Sequence, residues 1–313
     1  MSTIAPARSS EAPKPPAARR RKGLSKQSKA AWILALPFLS LFTVFTAWPV
    51  ISSLYMSLTD IKSRDLRSPF AVTFVGFDNY AKVFGDETFR KSVINTFYFA
   101  LVGVPLTLGI ALAAAIALDK GITRFRTLFR VGYYTPVVTS IVAVAVVWRF
   151  LLQPDIGLVN TVLGWVGING PDWLQNTTFS MPSLIVMASW RNFGVAMIIF
   201  LAGLQSVPVM LHEAASIDGA SAWQRFRHIT LPMLRPTMLF VSVTTGIGYL
   251  QVFEEPFVMT QGGPLDSTLT MSMYTYKQFS FGNYGFAASM GYVLFVIIVA
   301  LTAVQFRFFR SNT

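Results

Sequence analysis

Along the chain, apolar residues collect in six runs separated by polar segments, at about 30–58, 93–118, 131–152, 183–204, 236–258 and 285–306. Each run has roughly the 20 residues that a helix needs to cross a hydrocarbon core about 30 Å thick. In lipid a spanning segment must satisfy its backbone groups internally, which a helix does. The pattern predicts an all-α, polytopic membrane protein with about six transmembrane helices. The fifth run is interrupted by Gly246 and Gly248 and closes on Glu254, Glu255 and Pro256. Such features are tolerated where neighbouring helices or a wet cavity accept the polar groups, so this helix is expected to line a pathway.

Composition agrees with the pattern. The chain is 53% hydrophobic and 13% charged, with a mean hydropathy of +0.52, whereas soluble domains carry about a quarter charged residues. It contains no cysteine, which excludes disulfides, thiolate metal sites and thiol nucleophiles. A formal charge of +12 would raise nucleic-acid binding in a soluble chain. Here it is assigned to segments held on the cytoplasmic side.

Residues 1–29 hold Pro13, Pro15, Pro16 and the run Arg19, Arg20, Arg21, Lys22, and read as a disordered basic tail. The transmembrane domain takes 30–313, with a cytoplasmic loop at 205–235. A cleaved signal peptide competes for the N-terminus, but the run from Ala30 far exceeds a signal core of about 7–15 residues. Alternate sides of the six spans carry 17 and 7 Lys and Arg, which places both termini in the cytoplasm. On the outer side, Val83, Phe84 and Phe89 near Asp86 and Glu87 suggest a short surface helix.

The loop between the fourth and fifth runs carries the most specific signal. It reads Glu213-Ala214-Ala215, three residues, Gly219, nine residues, then Ile229-Thr230-Leu231-Pro232. Two short helices joined by a turn are predicted. Ser206 is available to cap the first, Pro208 suits its first turn, and Gly219 supplies a left-handed end. Ser221 with Gln224 forms a capping box for the second, which Leu231-Pro232 closes. Leu211, Ala214, Ala215 and Ile217 give the first helix a small apolar face suited to a groove in another protein.

All seven fixed positions of this spacing match the signature of permease subunits of binding-protein-dependent ABC importers, which the chain resembles over roughly residues 32–308. Phe74-Val75-Gly76-Phe77-Asp78-Asn79-Tyr80, then Trp148 with Pro154, Gly157 and Asn160, and Thr260-Gln261-Gly262-Gly263-Pro264 resemble the carbohydrate branch, in particular its first, maltose- or glycerol-phosphate-type permease. The resemblance implies a type I importer transmembrane fold in the bacterial inner membrane. It also implies a second permease, two ATP-binding subunits and an extracytoplasmic solute-binding protein. Leu211, Glu213, Ala214, Ala215, Ile217, Asp218, Gly219, Ile229, Leu231 and Pro232 would then be the coupling element seated in the ATPase. No Gly-rich phosphate loop ending in Gly-Lys-Ser/Thr is present, so no cofactor is expected in this chain, and ATP with its Mg is assigned to the partner.

Ionisable groups in a bilayer are costly, so each is a candidate for function. Trp190, Arg191, Asn192, Tyr249, Gln251 and Glu254 offer hydrogen bonds and an aromatic face for a sugar and are taken as the substrate pathway, Gln251 and Glu254 lying three apart on one helical face. Arg149 and Glu255 sit near span ends, where snorkelling to the interface accounts for them. His212 and His228 lack the partners of a metal site. Gly103, Gly109, Ala111 and Ala113 to Ala115 suit close helix packing. A stand-alone secondary transporter or channel is the alternative, although no inverted repeat is evident. A membrane-embedded enzyme lacks any constellation of reactive groups.

Overall fold

The computed structural model describes residues 26–65, 72–120 and 126–310. Most of the expected basic tail, and Arg124, lie outside the described residues. The chain divides into two units, one reaching Ser52 and one from Ser53 onward. In the first, α1 (Lys26–Phe42) passes through a π-type turn at Thr43–Ala47 into α2 (Trp48–Ser57), which ends in the second unit. The apolar stretch Ala31–Ser57 has none of its hydropathic window buried. Ser40 Oγ donates to Pro37 O and Thr43 Oγ1 to Leu39 O, so these two hydroxyls are satisfied within a few residues of the same chain, as a membrane span demands.

The second unit is organised around α4 (Glu87–Lys120) and α8 (Ser180–Gln205), preceded by the short helix α3 (Asp78–Gly85). Span two thus starts six residues before its apolar run. Asp86 accepts from Phe89 N at 2.9 Å and opens the helix as an N-terminal carboxylate should, so Phe89 belongs to the span and not to the surface helix. α8 is the most enclosed span, with 61% of its apolar window buried. Small residues set the spacing of these helices: a Cβ on Gly194 of α8 would lie 2.1 Å from the Tyr133 carbonyl, and one on Gly103 of α4 2.4 Å from the Tyr249 ring. Ala111 and Ala115 are fully buried. Gly109 and Ala113, expected to serve close helix packing, do not: a Cβ on Gly109 would meet nothing within 4 Å, and Ala113 is exposed.

The expected third span is not one helix. α5 (Arg126–Val138) and α6 (Ile141–Leu151) meet at 97° across Thr139 and Ser140. Pro136 removes a backbone donor in the last turn of α5, Thr139 Oγ1 donates to Pro136 O at 2.7 Å, and Ser140 is extended. α5 packs on α8, and α6 packs on a later short helix. α7 (Leu158–Trp165) follows in the segment before α8. Among the described residues five helices are long and apolar enough to cross a membrane, six if the bent pair forms one span.

After α8 come α9 (Val209–Ile217), α10 (Ala222–Arg225), α11 (Leu231–Met233) and α12 (Arg235–Leu250), then α13 (Glu254–Met259), α14 (Met271–Ser280) and α15 (Tyr284–Arg310). Several polar residues of the segments between spans prove to be knots of this scaffold. Asn79 Nδ2 donates to Ser57 O and Thr59 O at 3.0 and 2.8 Å. Trp173 Nε1 donates to Asn160 Oδ1 at 2.7 Å, and Asn160 Nδ2 to Pro154 O at 3.1 Å. Tyr274 OH donates to Asp86 Oδ2 at 2.8 Å. Burial, and then that bond, push the Tyr274 hydroxyl up to about 12.

Candidate functional site: an elbow and a cavity

The elbow is closed by short-range bonds. α9 starts at Pro208, which is extended and lies just outside the helix, not within its first turn. Ser206 does not cap it: Ser206 Oγ donates back to Gly203 O at 2.7 Å and finishes α8 instead. At the far end Gly219 has φ +76, the left-handed region where a Cβ is penalised. Ala220 N donates to Ala215 O at 2.9 Å and Gly219 N to Ser216 O at 3.2 Å, a Schellman closure. Ser221 Oγ accepts from Gln224 N at 3.3 Å and Ser221 N donates to Gln224 Oε1 at 2.7 Å, the expected capping box. Leu231-Pro232 does not end the second helix. A π-type turn at Phe226–Thr230 runs on through α11 and a single turn residue, Leu234, into α12. Leu231 N donates to Phe226 O in the wide turn and Leu234 N to Thr230 O beyond it, so the ladder resumes on both sides of Pro232, which has no N–H to give.

The apolar face of α9 is larger than its motif residues suggest. Ile217 is 88% exposed and Met210 76%, with Val209, Leu211 and Trp223 also turned outward. Glu213, Ala214 and Asp218 are exposed as well, while Ala215 and Ile229 are half-buried. Ala215, Asp218, Gly219 and Ile229 share the crease between the two arms. His228 Nδ1 donates to Gln224 O at 3.0 Å. Leu234, fully buried among Phe193, Met197 and Phe200, anchors the elbow to the span core. From there α12 runs 16 residues, about 24 Å at 1.5 Å per residue.

At the other end of α12 lies a cavity of about 520 Å3 lined by Arg191 and Asn192 of α8, Thr244, Thr245 and Tyr249 of α12, and Gln251, Glu254 and Glu255 beyond it. Five of the six expected pathway residues meet there. Trp190 does not: its ring packs 5.7 Å from Trp148. Tyr249 is only 4% exposed. Its OH lies 2.6 Å from Thr107 Oγ1, whose own proton reaches Gly103 O, so the tyrosine is a strut between α12 and α4 as well as a wall. Gln251 and Glu254 share the cavity but no helical face, since the helix breaks between them. The glycines do not cause this break, because α12 passes unbroken through Gly246 and Gly248. Phe253 leaves helical geometry at φ −137, stacked 5.0 Å from Phe257. Thr270 Oγ1 donates to the Val252 carbonyl at 2.9 Å, which supplies a partner where the helix no longer does.

Two ionisable groups depart from or keep to their expected places. Glu255 does not snorkel; it is 7% exposed and faces the cavity. Its neighbours in sequence are Glu254 and Pro256, and only the break that turns α13 inward distinguishes it. Arg149 remains exposed, with Nη1 3.5 Å from Val258 O. Arg191 Nη1 donates to Asn192 Oδ1 at 3.4 Å, while its Nε is buried with no partner. Among the described residues no group of three or more His, Asp or Glu is placed to hold a metal ion.

A bundle of lipid-length helices, a polar cavity at a broken span and an exposed helical elbow define the membrane subunit of a transport system. The chain belongs to the family of binding-protein-dependent transport system inner membrane components, whose model matches residues 103–311. It is 38% identical to the probable ABC transporter permease YesP of Bacillus subtilis, over 93% of this chain and 94% of that one. It is 35% identical to the lactose transport permease LacF of Rhizobium radiobacter, over 90% and 94% respectively. The fold superimposes on a chain of a bacterial ABC transporter that imports the acidic polysaccharide alginate, with a TM-score of 0.77 and 25% identity, covering 92% of this chain and 97% of that one.

Proposed function

We propose that this chain is the first permease of an ATP-driven importer and moves a sugar or sugar-derived solute inward through the cavity. Support for the solute class comes from the lactose permease relative and from donors and acceptors beside an aromatic wall. In this reading both termini and the elbow face the cytoplasm, a second permease completes the pathway, and a solute-binding protein delivers cargo from outside. ATP and Mg act in a pair of partner subunits, and this chain binds no cofactor. The α9 arm, with Glu213 exposed near its middle, seats in an ATPase cleft. Leu211, Ala214 and Ile217 make contact, while Ala215, Asp218, Gly219, Ile229, Leu231 and Pro232 hold the arm's angle. Closure of the ATPase pair moves the arm, and Leu234 passes that movement to α12 and the cavity.

One observation carries the proposal: an 88% exposed Ile217 on a helix locked at its end by the Gly219 turn. Free apolar side chains on a rigid arm are suited to a groove in a partner. The test is transport by the assembled importer carrying Glu213→Ala or Gly219→Val. Uptake is expected to fall while ATP hydrolysis continues and the binding protein still captures solute. Unchanged uptake in both variants contradicts the docking role. A chain that worked as a lone transporter would be indifferent to both.

A further inference from the structure

The charges facing the cavity are unbalanced. Among the described residues Arg191 is the one cation lining it, against Glu254 and Glu255. No ion pair joins Arg191 to either glutamate among the described residues, where the pairs are Arg64 with Asp65 and Arg90 with Glu87. The remaining polar lining, such as Asn192, Thr245 and Gln251, is uncharged. Carboxylates accept hydrogen bonds from hydroxyls and a guanidinium donates to them, so a polyol can satisfy both signs at once, through bonds stronger than neutral ones. A solute bearing a carboxylate or sulfate gains Arg191 but must face two like charges in a space where screening is weak.

We propose that the cavity admits uncharged or aminated saccharides and excludes acidic ones, with Glu254 and Glu255 as the specificity-determining residues. This rests on the cavity being the solute pathway. The absence of cysteine allows a charge measurement that needs no knowledge of the solute. A single cysteine is placed by Thr245→Cys in the cavity or, as a reference, by Thr178→Cys on the exposed outer loop. The importer, assembled with its partner subunits in lipid nanodiscs, is treated with cationic trimethylammonioethyl or anionic sulfonatoethyl methanethiosulfonate. The modification rate is read from the mass of this chain.

The cation-to-anion rate ratio at position 245 is expected to exceed that at 178 on the order of tenfold, as in clefts that focus one sign of charge. Glu254→Gln with Glu255→Gln in the same background brings it down to the reference. A cysteine that reacts with both reagents at the reference ratio overturns the charge selectivity and leaves the pathway standing. A cysteine that neither reagent reaches overturns the pathway, and the selectivity with it. If the double substitution prevents assembly, the ratio in the Glu-intact protein still decides.

Discussion

In the elbow each turn is closed by partners a few residues along the chain, as when Ala220 N bonds Ala215 O, whereas beside the cavity Tyr249 bonds Thr107 from 142 residues away. The elbow presents its apolar side chains outward and closes its turns with bonds between its own residues. The cavity does the reverse, turning Arg191, Glu254 and Glu255 inward from two elements that meet only in the folded bundle. A locally closed arm can keep its shape while it docks and moves. A wall assembled from distant segments changes whenever those segments shift, and α12 connects the two.

This contrast also sets what can be read from a single sequence. Gly219, Ser221 and Gln224 announce their bonds by identity and spacing, and the structure makes those bonds. Ser206 is misleading because the position flanking α9 falls to Pro208, two residues on, which leaves the Ser206 hydroxyl to donate back to Gly203 O at the end of α8. Leu231-Pro232 looks like a stop, yet the chain stays helical through it, on a π-type turn that widens the ladder just before the proline. The spans are legible from length and hydropathy, but the 97° bend between α5 and α6 depends on what each half packs against. Glu255 is invisible as a cavity residue because its placement follows from the break at Phe253, which in turn depends on Thr270 and Phe257. Trp190, selected for its chemistry, is taken up by Trp148.

The largest effect is expected at the arm. Ile217→Asp places a charge on the proposed docking face, and loss of such an anchor costs on the order of 2–4 kcal/mol of association. Co-purification of the ATP-hydrolysing subunit should weaken by about a hundredfold or more, while thermal stability of the isolated permease stays unchanged. A change of stability instead would make the arm part of the fold and erase the contrast.

Next comes the wall. Gly194→Val forces a side chain against the Tyr133 backbone at a site where a Cβ already falls 2.1 Å from the carbonyl, and overpacking of this kind costs about 1–3 kcal/mol or more. Gly109→Val, with no neighbour within 4 Å, is the matched neutral case. Unfolding midpoints in detergent separate them, and equal midpoints would discredit the α5–α8 contact.

A smaller loss is expected from Gly219→Ala, about 1 kcal/mol for a Cβ in the left-handed region. It should lower uptake partially and leave cavity labelling unchanged. Smaller again is Tyr249→Phe. Hydrogen bonds between membrane helices average about 0.6 kcal/mol, so its unfolding midpoint should move by only about a degree or two.

Outside the membrane, the raised Tyr274 hydroxyl, about 12 when folded against 10.0 as the ordinary value, means that the folded state holds this proton more tightly. That stability is complete below about pH 10 and is lost as the pH rises toward about 12. In Tyr274→Phe the fall in unfolding midpoint over that window should be shallower than in the parent chain, and an identical slope would argue against the Asp86 bond.

The central claim, that the elbow seats in an ATP-hydrolysing partner, is tested most directly by proximity. A benzophenone attached to a cysteine at position 217 of the assembled importer is irradiated and compared with one at Leu265, 81% exposed on the far loop. The account predicts an adduct with the ATPase subunit from 217 and none from 265. ATP-driven uptake by an importer that gives no such adduct at 217, or gives it at 265, would contradict it.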